Sequence, residues 1–258
     1  MRARVLVTGS STGLGLMAAR LLLETGHRVV VHGRTQARAD AALAAAAGAD
    51  AAVIGDLSTL REMGAVAEQA NRLGGFDAVI HNAATGYRES HRVETEDRLP
   101  ALFATNTLAP YVLTALIGRP KRLVYLSSGM HWSARLDLHD LIWTRRSWRG
   151  AEAYAETKLH DVLIAFAVAR RWPDVLCNAL EPGWVATRMG GPGAPDDLDA
   201  THRTQVWLAV SDDSAARVSG RYFYHHRLRQ PNPIAEREEA QGTLVEACVR
   251  LSGVALPG

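Results

Sequence analysis

The chain is poor in cysteine, in lysine and in long apolar runs. Only two of its 258 residues are cysteines, Cys177 and Cys248, far apart and without CxxC spacing. That excludes a disulfide framework and fits a reducing compartment. No stretch reaches the roughly eighteen apolar residues of a membrane span, and the apolar run after the basic N-terminus is too short for a signal peptide. A soluble, cytoplasmic protein without a membrane span is expected. The ten histidines are scattered, with no HxxxH or HExxH spacing, so no metal centre is expected. A formal net charge of +2 and the lack of long like-charge runs argue against nucleic acid as a partner. Arg145-Arg146 and His225-His226-Arg227 read as solvated surface.

Lysine is the most informative scarcity. Of twenty-nine basic residues, only Lys121 and Lys158 are lysines. The arginine bias itself reads as composition, so an ammonium at 158 asks for a reason.

With 47% apolar residues, the chain can fill an ordinary globular core. Short β-branched runs alternate with helix-period segments, the pattern of a parallel sheet covered on both faces. The predicted strands are 5–8, 29–32, 52–54, 78–81, 123–127, 176–180 and 222–224. The predicted helices are 15–24, 36–47, 60–72, 99–117, 151–171 and 202–208. The expected fold is α/β: a doubly wound Rossmann fold, with a seven-stranded parallel sheet, forming a single domain over 1–258. Two stretches break the rhythm, 129–150 with its tryptophans and the Gly/Pro-rich 188–200. The first reads as a substrate-side insert and the second as a substrate loop, with packing over the core an equal competitor for the tryptophans.

Thr8-Gly9-Ser10-Ser11-Thr12-Gly13-Leu14-Gly15 follows the first strand and opens the first helix. Glycines at 9, 13 and 15 permit a tight turn close to a pyrophosphate, where free helix N-terminal amides meet the anion. Ser11 and Thr12 add hydroxyls.

The GxxxGxG spacing resembles that of the short-chain dehydrogenase/reductase superfamily, and the resemblance runs along nearly the whole chain. It implies an NAD(P)-dependent enzyme acting on a small-molecule carbonyl or alcohol. NAD-preferring members end the second strand on an acid. Here Gly33 and Arg34 stand there, so NADP(H) is favoured over NAD(H), the guanidinium being suited to a 2′-phosphate. The resemblance implies adenine contacts at Asp56 and Leu57, although Asp56 alone would read as a cap. His81-Asn82-Ala83-Ala84 looks like NNAG with two departures, and Asn82 and Ala83 are carried over to cofactor binding.

Tyr154 and Lys158 share one helix face. An ammonium near the phenol favours phenolate and lowers a pKa whose ordinary value is about 10, and lysine's compact head suits that space better than arginine's fork. A lone YxxxK is common in helices; preceded by the glycine turn and a strand ending in Ser127-Ser128, it resembles the family's catalytic pair. The resemblance assigns Ser128 to catalysis and leaves Ser127 as a turn cap. It aligns Asn106 with the water-holding asparagine of the tetrad. Glu181-Pro182-Gly183-Trp184-Val185-Ala186-Thr187 looks like PGxVxT, with Val185 and Thr187 holding the nicotinamide carboxamide.

The Ser128-to-Tyr154 separation is twenty-six residues, about twice the commonest family spacing. SSGMHW plus a long insert resembles the retinol-dehydrogenase-like and WW-oxidoreductase-like branch, which implies an apolar substrate. Trp184 and the following loop would form a second wall or lid. The resemblance leaves a homo-oligomer open. A non-catalytic NADP(H) sensor or scaffold is the alternative, disfavoured by the full tetrad, and a nucleotide-sugar epimerase is disfavoured by the glycine spacing.

Overall fold

The computed structural model describes residues 2–258. Seven strands run parallel: β1 (Arg4–Val7), β2 (Arg28–Gly33), β3 (Ala51–Ile54), β4 (Ala78–His81), β5 (Arg122–Leu126), β6 (Leu176–Glu181) and β7 (Tyr222–Tyr224). An eighth, β8 (Arg227–Leu228), pairs antiparallel with β7. The sheet order is β3-β2-β1-β4-β5-β6-β7-β8, so the seven-stranded expectation gains an antiparallel edge of two exposed residues. Strand order reverses between β1 and β4, the switch point where such sheets bind ligands.

The strands are short and buried on both faces, which explains their near-continuous apolar runs. Side-chain alternation divides them between two cores. Leu6, Val30, Val53, Val79, Leu123 and Tyr125 point to one side. They meet α3 (Leu60–Arg72), α5 (Ala109–Leu116), α6 (Gly150–Arg171) and α9 (Glu238–Ser252). Val5, Val7, Val29, Val31, Ile80 and Val124 point to the other. There they meet α1 (Gly13–Glu24), α2 (Gln36–Ala45) and α8 (Arg203–Val210). At about 1.5–3 kcal/mol for each fully buried large aliphatic side chain, a one-residue slip of any strand would exchange the two sets and is strongly disfavoured.

The helix expected over 99–117 is interrupted. A short α4 (Ala101–Phe103) runs into a π-helical turn, Ala104–Leu108, before α5 begins. Pro110 supplies the physical reason, because a proline has no N–H for the carbonyl four residues back, that of Asn106. Before α8, a single turn, α7 (Leu198–Thr201), closes the loop that follows β6.

The C-terminal helix α9 was not among the expected elements. It packs along α6 through Leu244, Ala247 and Cys248, all buried. The tail beyond it is tied down by Tyr111 Oη to the Val254 carbonyl (2.9 Å) and Trp172 Nε1 to the Pro257 carbonyl (3.1 Å). Covered on both sides, α6 buries Glu156, Lys158, His160 and Asp161.

Candidate active site

The expected site residues lie just beyond the carboxyl ends of six parallel strands, Lys158, Tyr154 and Asn106 approaching from helices. After β1, Gly9 and Gly13 both have positive φ (63° and 59°), a region open to glycine at little cost. A β-carbon on Gly9 would stand 2.7 Å from the Ala83 Cα, and one on Gly15 would overlap the Asn82 amide and the Gly9 carbonyl. Thr12 caps α1 without a side-chain bond and is exposed, as is Gly13. The N-terminus of α1 at Thr12 and Gly13 is therefore open to solvent. Ser11 and Leu14 are half-buried.

Two residues without an expected role brace this turn. His32 Nδ1 accepts from the Gly9 amide (2.9 Å), and its Nε2 donates to the Gly55 carbonyl (2.9 Å). Burial lowers the His32 pKa, outweighing the Gly55 bond and Asp56, so the ring is neutral and keeps an acceptor for Gly9. Ser10 Oγ accepts from the His32 amide (2.7 Å) and donates to the Val7 carbonyl (2.8 Å). In sequence both read only as strand and turn residues.

Asn82 Nδ2 donates to the Thr8 and Gly9 carbonyls at 2.9 and 3.2 Å, and Thr8 Oγ1 accepts from the Asn82 and Ala83 amides at 3.0 Å each. Arg34 is exposed just past β2 and forms no ion pair among the described residues. No side chain fits at Gly33, where a β-carbon would run into the backbone of α2. Asp56 acts as a turn cap, its Oδ1 accepting from the Ser58 amide at 3.0 Å. The Leu57 side chain is buried in the core, so only its backbone is open to a ligand.

Asn106 sits in the π turn, 1% exposed. Its side chain is fully engaged: Oδ1 accepts from the Thr85 amide (2.8 Å), and Nδ2 donates to the Thr85 carbonyl and to Thr157 Oγ1 (3.1 Å each). Its main-chain carbonyl has no α-helical donor, because Pro110 stands four residues on.

After β5 the capping role expected of Ser127 falls to Ser128. Ser128 Oγ accepts from the Met130 amide (3.3 Å) and caps a 3-10 turn over Gly129–Ser133. Ser127 is no cap: its Oγ donates to the Lys158 carbonyl (2.6 Å), joining β5 to α6. Lys158 Nζ lies 5.8 Å from the Tyr154 ring centroid.

The phenol departs from the expected direction. Burial is the largest influence and lifts the Tyr154 pKa above its ordinary value; Lys158 and the neighbouring Ser128 hydroxyl pull it down, while Asp161 and Tyr87 push it up. Lys158 acts as expected, but desolvation of the phenolate wins.

The insert forms one side of the phenol's surroundings. Trp143 packs in one cluster with Tyr154, Leu102 and Ala153, joined by Tyr87, Met130, Trp148 and Met189. Arg146 holds the insert by bridging Asp140 Oδ2 (3.4 Å) and Glu156 Oε1 (2.6 Å), the latter on α6 two residues past Tyr154. Trp143 Nε1 donates to the same Glu156 (3.2 Å), and Trp148 Nε1 to the Glu89 carbonyl (3.1 Å). Buried His131 fixes the start of the insert, its rings nitrogens meeting the Ser128 carbonyl (2.8 Å) and the Asn232 amide (3.1 Å).

The loop after β6 closes the other side. Val185 is buried and bridges to Asp196. Thr187 Oγ1 accepts from the Gly190 amide (3.2 Å), and Trp184, although exposed, donates from Nε1 to the Gly190 carbonyl (3.0 Å). Met189 Sδ rests 3.8 Å from the Tyr154 hydroxyl.

A doubly wound sheet with a glycine turn at its switch point and a tyrosine-lysine pair beyond β5 defines a nucleotide-dependent oxidoreductase fold. A sequence profile of the short chain dehydrogenase family matches residues 3–121. The chain is 42% identical over 259 aligned residues to an uncharacterized oxidoreductase of Emericella nidulans, covering 99% of both. It is 38% identical to the short-chain dehydrogenase chyC of Penicillium rubens, again over 99% of both. Among solved structures, a putative uncharacterized protein of Mycobacterium paratuberculosis superposes with a TM-score of 0.86 at 24% identity, covering 99% of this chain and 95% of that one. The chain belongs to the short-chain dehydrogenase/reductase family and is an oxidoreductase. Among the described residues no helix is long and apolar enough to cross a membrane.

Proposed function

We propose that the protein interconverts an apolar carbonyl compound and its alcohol, with NADP(H) preferred over NAD(H). The observation that carries this reading is the setting of Tyr154: a phenol that feels Ser128 and Lys158 and is packed among Tyr87, Trp143, Trp148, Met130 and Met189, which present aromatic and thioether surface to it. An apolar substrate gains from burial against such a wall, while an ionised one would lose hydration against it.

The residues present fit the dinucleotide. The close approach at Gly9 and Gly15 and the solvent-open N-terminus of α1, whose first amides have no partner within the helix, suit a pyrophosphate. Gly9, Ser11, Thr12, Gly13, Leu14 and Gly15 would hold the phosphates, and Arg34 the 2′-phosphate. Asp56, the Leu57 backbone, Asn82 and Ala83 would border the adenosine. Lys158 would reach the nicotinamide ribose, with Val185 and Thr187 at the carboxamide. Bound there, NADP(H) supplies or accepts the hydride.

In reduction, Tyr154 gives its proton to the carbonyl oxygen as charge develops on it, and the Ser128 hydroxyl donates a hydrogen bond to the same oxygen. Lys158 steadies the phenolate left behind, and a water at the Asn106 carbonyl returns the proton. Met189 has to leave the Tyr154 hydroxyl before a carbonyl can reach it.

The reading is tested by steady-state turnover over aliphatic, aromatic and polycyclic ketones and aldehydes, with charged keto acids and nucleotide sugars alongside. Turnover concentrated in the uncharged apolar compounds is expected. Turnover confined to keto acids or nucleotide sugars would overturn it.

A further inference from the structure

One turn beyond the lysine, α6 carries a carboxylate to which neither the motif nor the proposed chemistry gives a part. Asp161 Oδ2 lies 2.8 Å from Lys158 Nζ, and both side chains are almost wholly buried, 3% and 4% exposed. A second Nζ donor goes to the Leu126 carbonyl at 2.7 Å. An ammonium has three N–H groups, so one remains for the side of Nζ that faces Tyr154 and the cofactor.

Nothing else near the pair carries positive charge among the described residues. Tyr125 on β5 feels Asp161, and burial first of all holds its phenol protonated. The Tyr125 hydroxyl is bonded to Thr114 Oγ1 of α5 (2.5 Å), which meets His81 Nε2 of β4 (2.9 Å). Burial lowers the His81 pKa to about 3, so that ring is neutral. On α6, Thr157 Oγ1 donates to the Tyr154 carbonyl (2.8 Å) and accepts from Asn106 Nδ2, and Ser127 Oγ is taken by the Lys158 carbonyl. Tyr87 and Ser128 are the remaining groups that act on Tyr154.

Lys158 and Asp161 are therefore each other's counter-charge. Burial works to discharge the ammonium, and Asp161 with Tyr154 outweighs it, leaving Lys158 above the ordinary lysine value. Burial pushes the Asp161 carboxyl up to about 7 even with Lys158 pulling it back, so the pair is fully ionised above that pH, the range in which a phenol titrates. A neutralised pair has a weaker hold on a nearby phenolate than a bare ammonium, because the two charges act on it with opposite sign.

We propose that Asp161 is a positioning residue that fixes Lys158 and offsets its charge, so that Tyr154 stays protonated in the cofactor-free protein and the site is poised to donate a proton. The inference rests on Tyr154 as the acid of the proposed function. It extends that reading by setting the protonation state of the acid before the cofactor binds.

The test is an ultraviolet difference titration of the cofactor-free protein, wild type minus Tyr154→Phe, which isolates one phenol among six tyrosines. The wild-type difference signal is expected to stay flat until about pH 10. In Asp161→Asn the midpoint falls by about one pH unit or more, and in Asp161→Glu, which keeps the charge, it stays near the wild-type value. A wild-type midpoint near neutral, an unmoved midpoint in folded Asp161→Asn, or an equal fall in Asp161→Glu overturns the inference. Should Asp161→Asn not fold, the wild-type midpoint and Asp161→Glu decide. Turnover independent of Tyr154 would instead overturn the proposed function, and would leave the titration result unchanged.

Discussion

The side-chain amide of Asn82, at the end of β4, occupies the place a β-carbon on Gly15 would take. The same amide donates to the Thr8 and Gly9 carbonyls, so the glycine turn and the switch-point strand are locked to each other through the absence of one methyl group. Gly15→Ala is expected to displace Asn82 and the Gly9 carbonyl, destabilising the fold by about 1–3 kcal/mol, the usual cost of overpacking. NADPH affinity should fall about tenfold or more. Thermal unfolding and cofactor titration by fluorescence check both, and wild-type values for the two would remove the turn from the account.

Arg34 stands past the end of β2, with Gly33 too closely packed against α2 to carry any side chain. A charge-assisted hydrogen bond from a guanidinium to a phosphate contributes about 1.5–3 kcal/mol. Arg34→Ser should raise the KM for NADPH about 10- to 100-fold and leave that for NADH nearly unchanged. Equal effects on the two cofactors would show that Arg34 does not read the 2′-phosphate.

Much of this was legible in the residues. Six strand ends, the glycine turn and the Tyr154-Lys158 spacing follow from local rules, because each needs particular residue types at short range. The π turn was hidden, since the apolar pattern runs unbroken through Asn106 and only Pro110 marks it. Helix α9 presents Ala240, Leu244, Ala247 and Cys248 at helical spacing, but small residues and Gly242 dilute the signal. The two-residue β8 carries no pattern at all. The reason for Lys158 was only half visible, because its buried partner Asp161 becomes meaningful once α6 is known to be covered on both sides. Ser127 and Ser128 could not be told apart by adjacency: alternation sends one hydroxyl into the α6 junction and leaves the other facing the phenol.

Two buried histidines predict how stability depends on pH. Burial lowers the pKa of His81 and of His160 to about 3, while an unfolded histidine titrates near 6.5. Between those values the unfolded chain binds a proton that the folded one does not. The stability tied to each neutral ring is present above about pH 6.5 and is lost as pH falls toward 3, by about 1.4 kcal/mol per pH unit in the middle of that window. Urea unfolding from pH 6 to 4 should show a slope smaller by about that amount in His81→Asn than in the wild type. Identical slopes would mean that His81 is protonated in the folded protein.

The insert depends on Arg146 in the same testable way. It serves Asp140 and Glu156 together and covers the Trp143 ring at 3.9 Å. Arg146→Ala leaves two buried carboxylates short of a cation, a loss of about 2 kcal/mol or more, and frees Trp143 beside Tyr154. Substrate KM should rise at least tenfold while NADPH binding is retained. A variant with unchanged KM across the apolar panel would separate the insert from the substrate site.

The most direct measurement compares NADPH oxidation by the wild type and by Tyr154→Phe with the best apolar carbonyl of the panel. The account predicts a loss of about 10²- to 10⁴-fold in kcat, the range expected for removing a general acid, with NADPH affinity and thermal stability kept. Turnover that survives in Tyr154→Phe would contradict it.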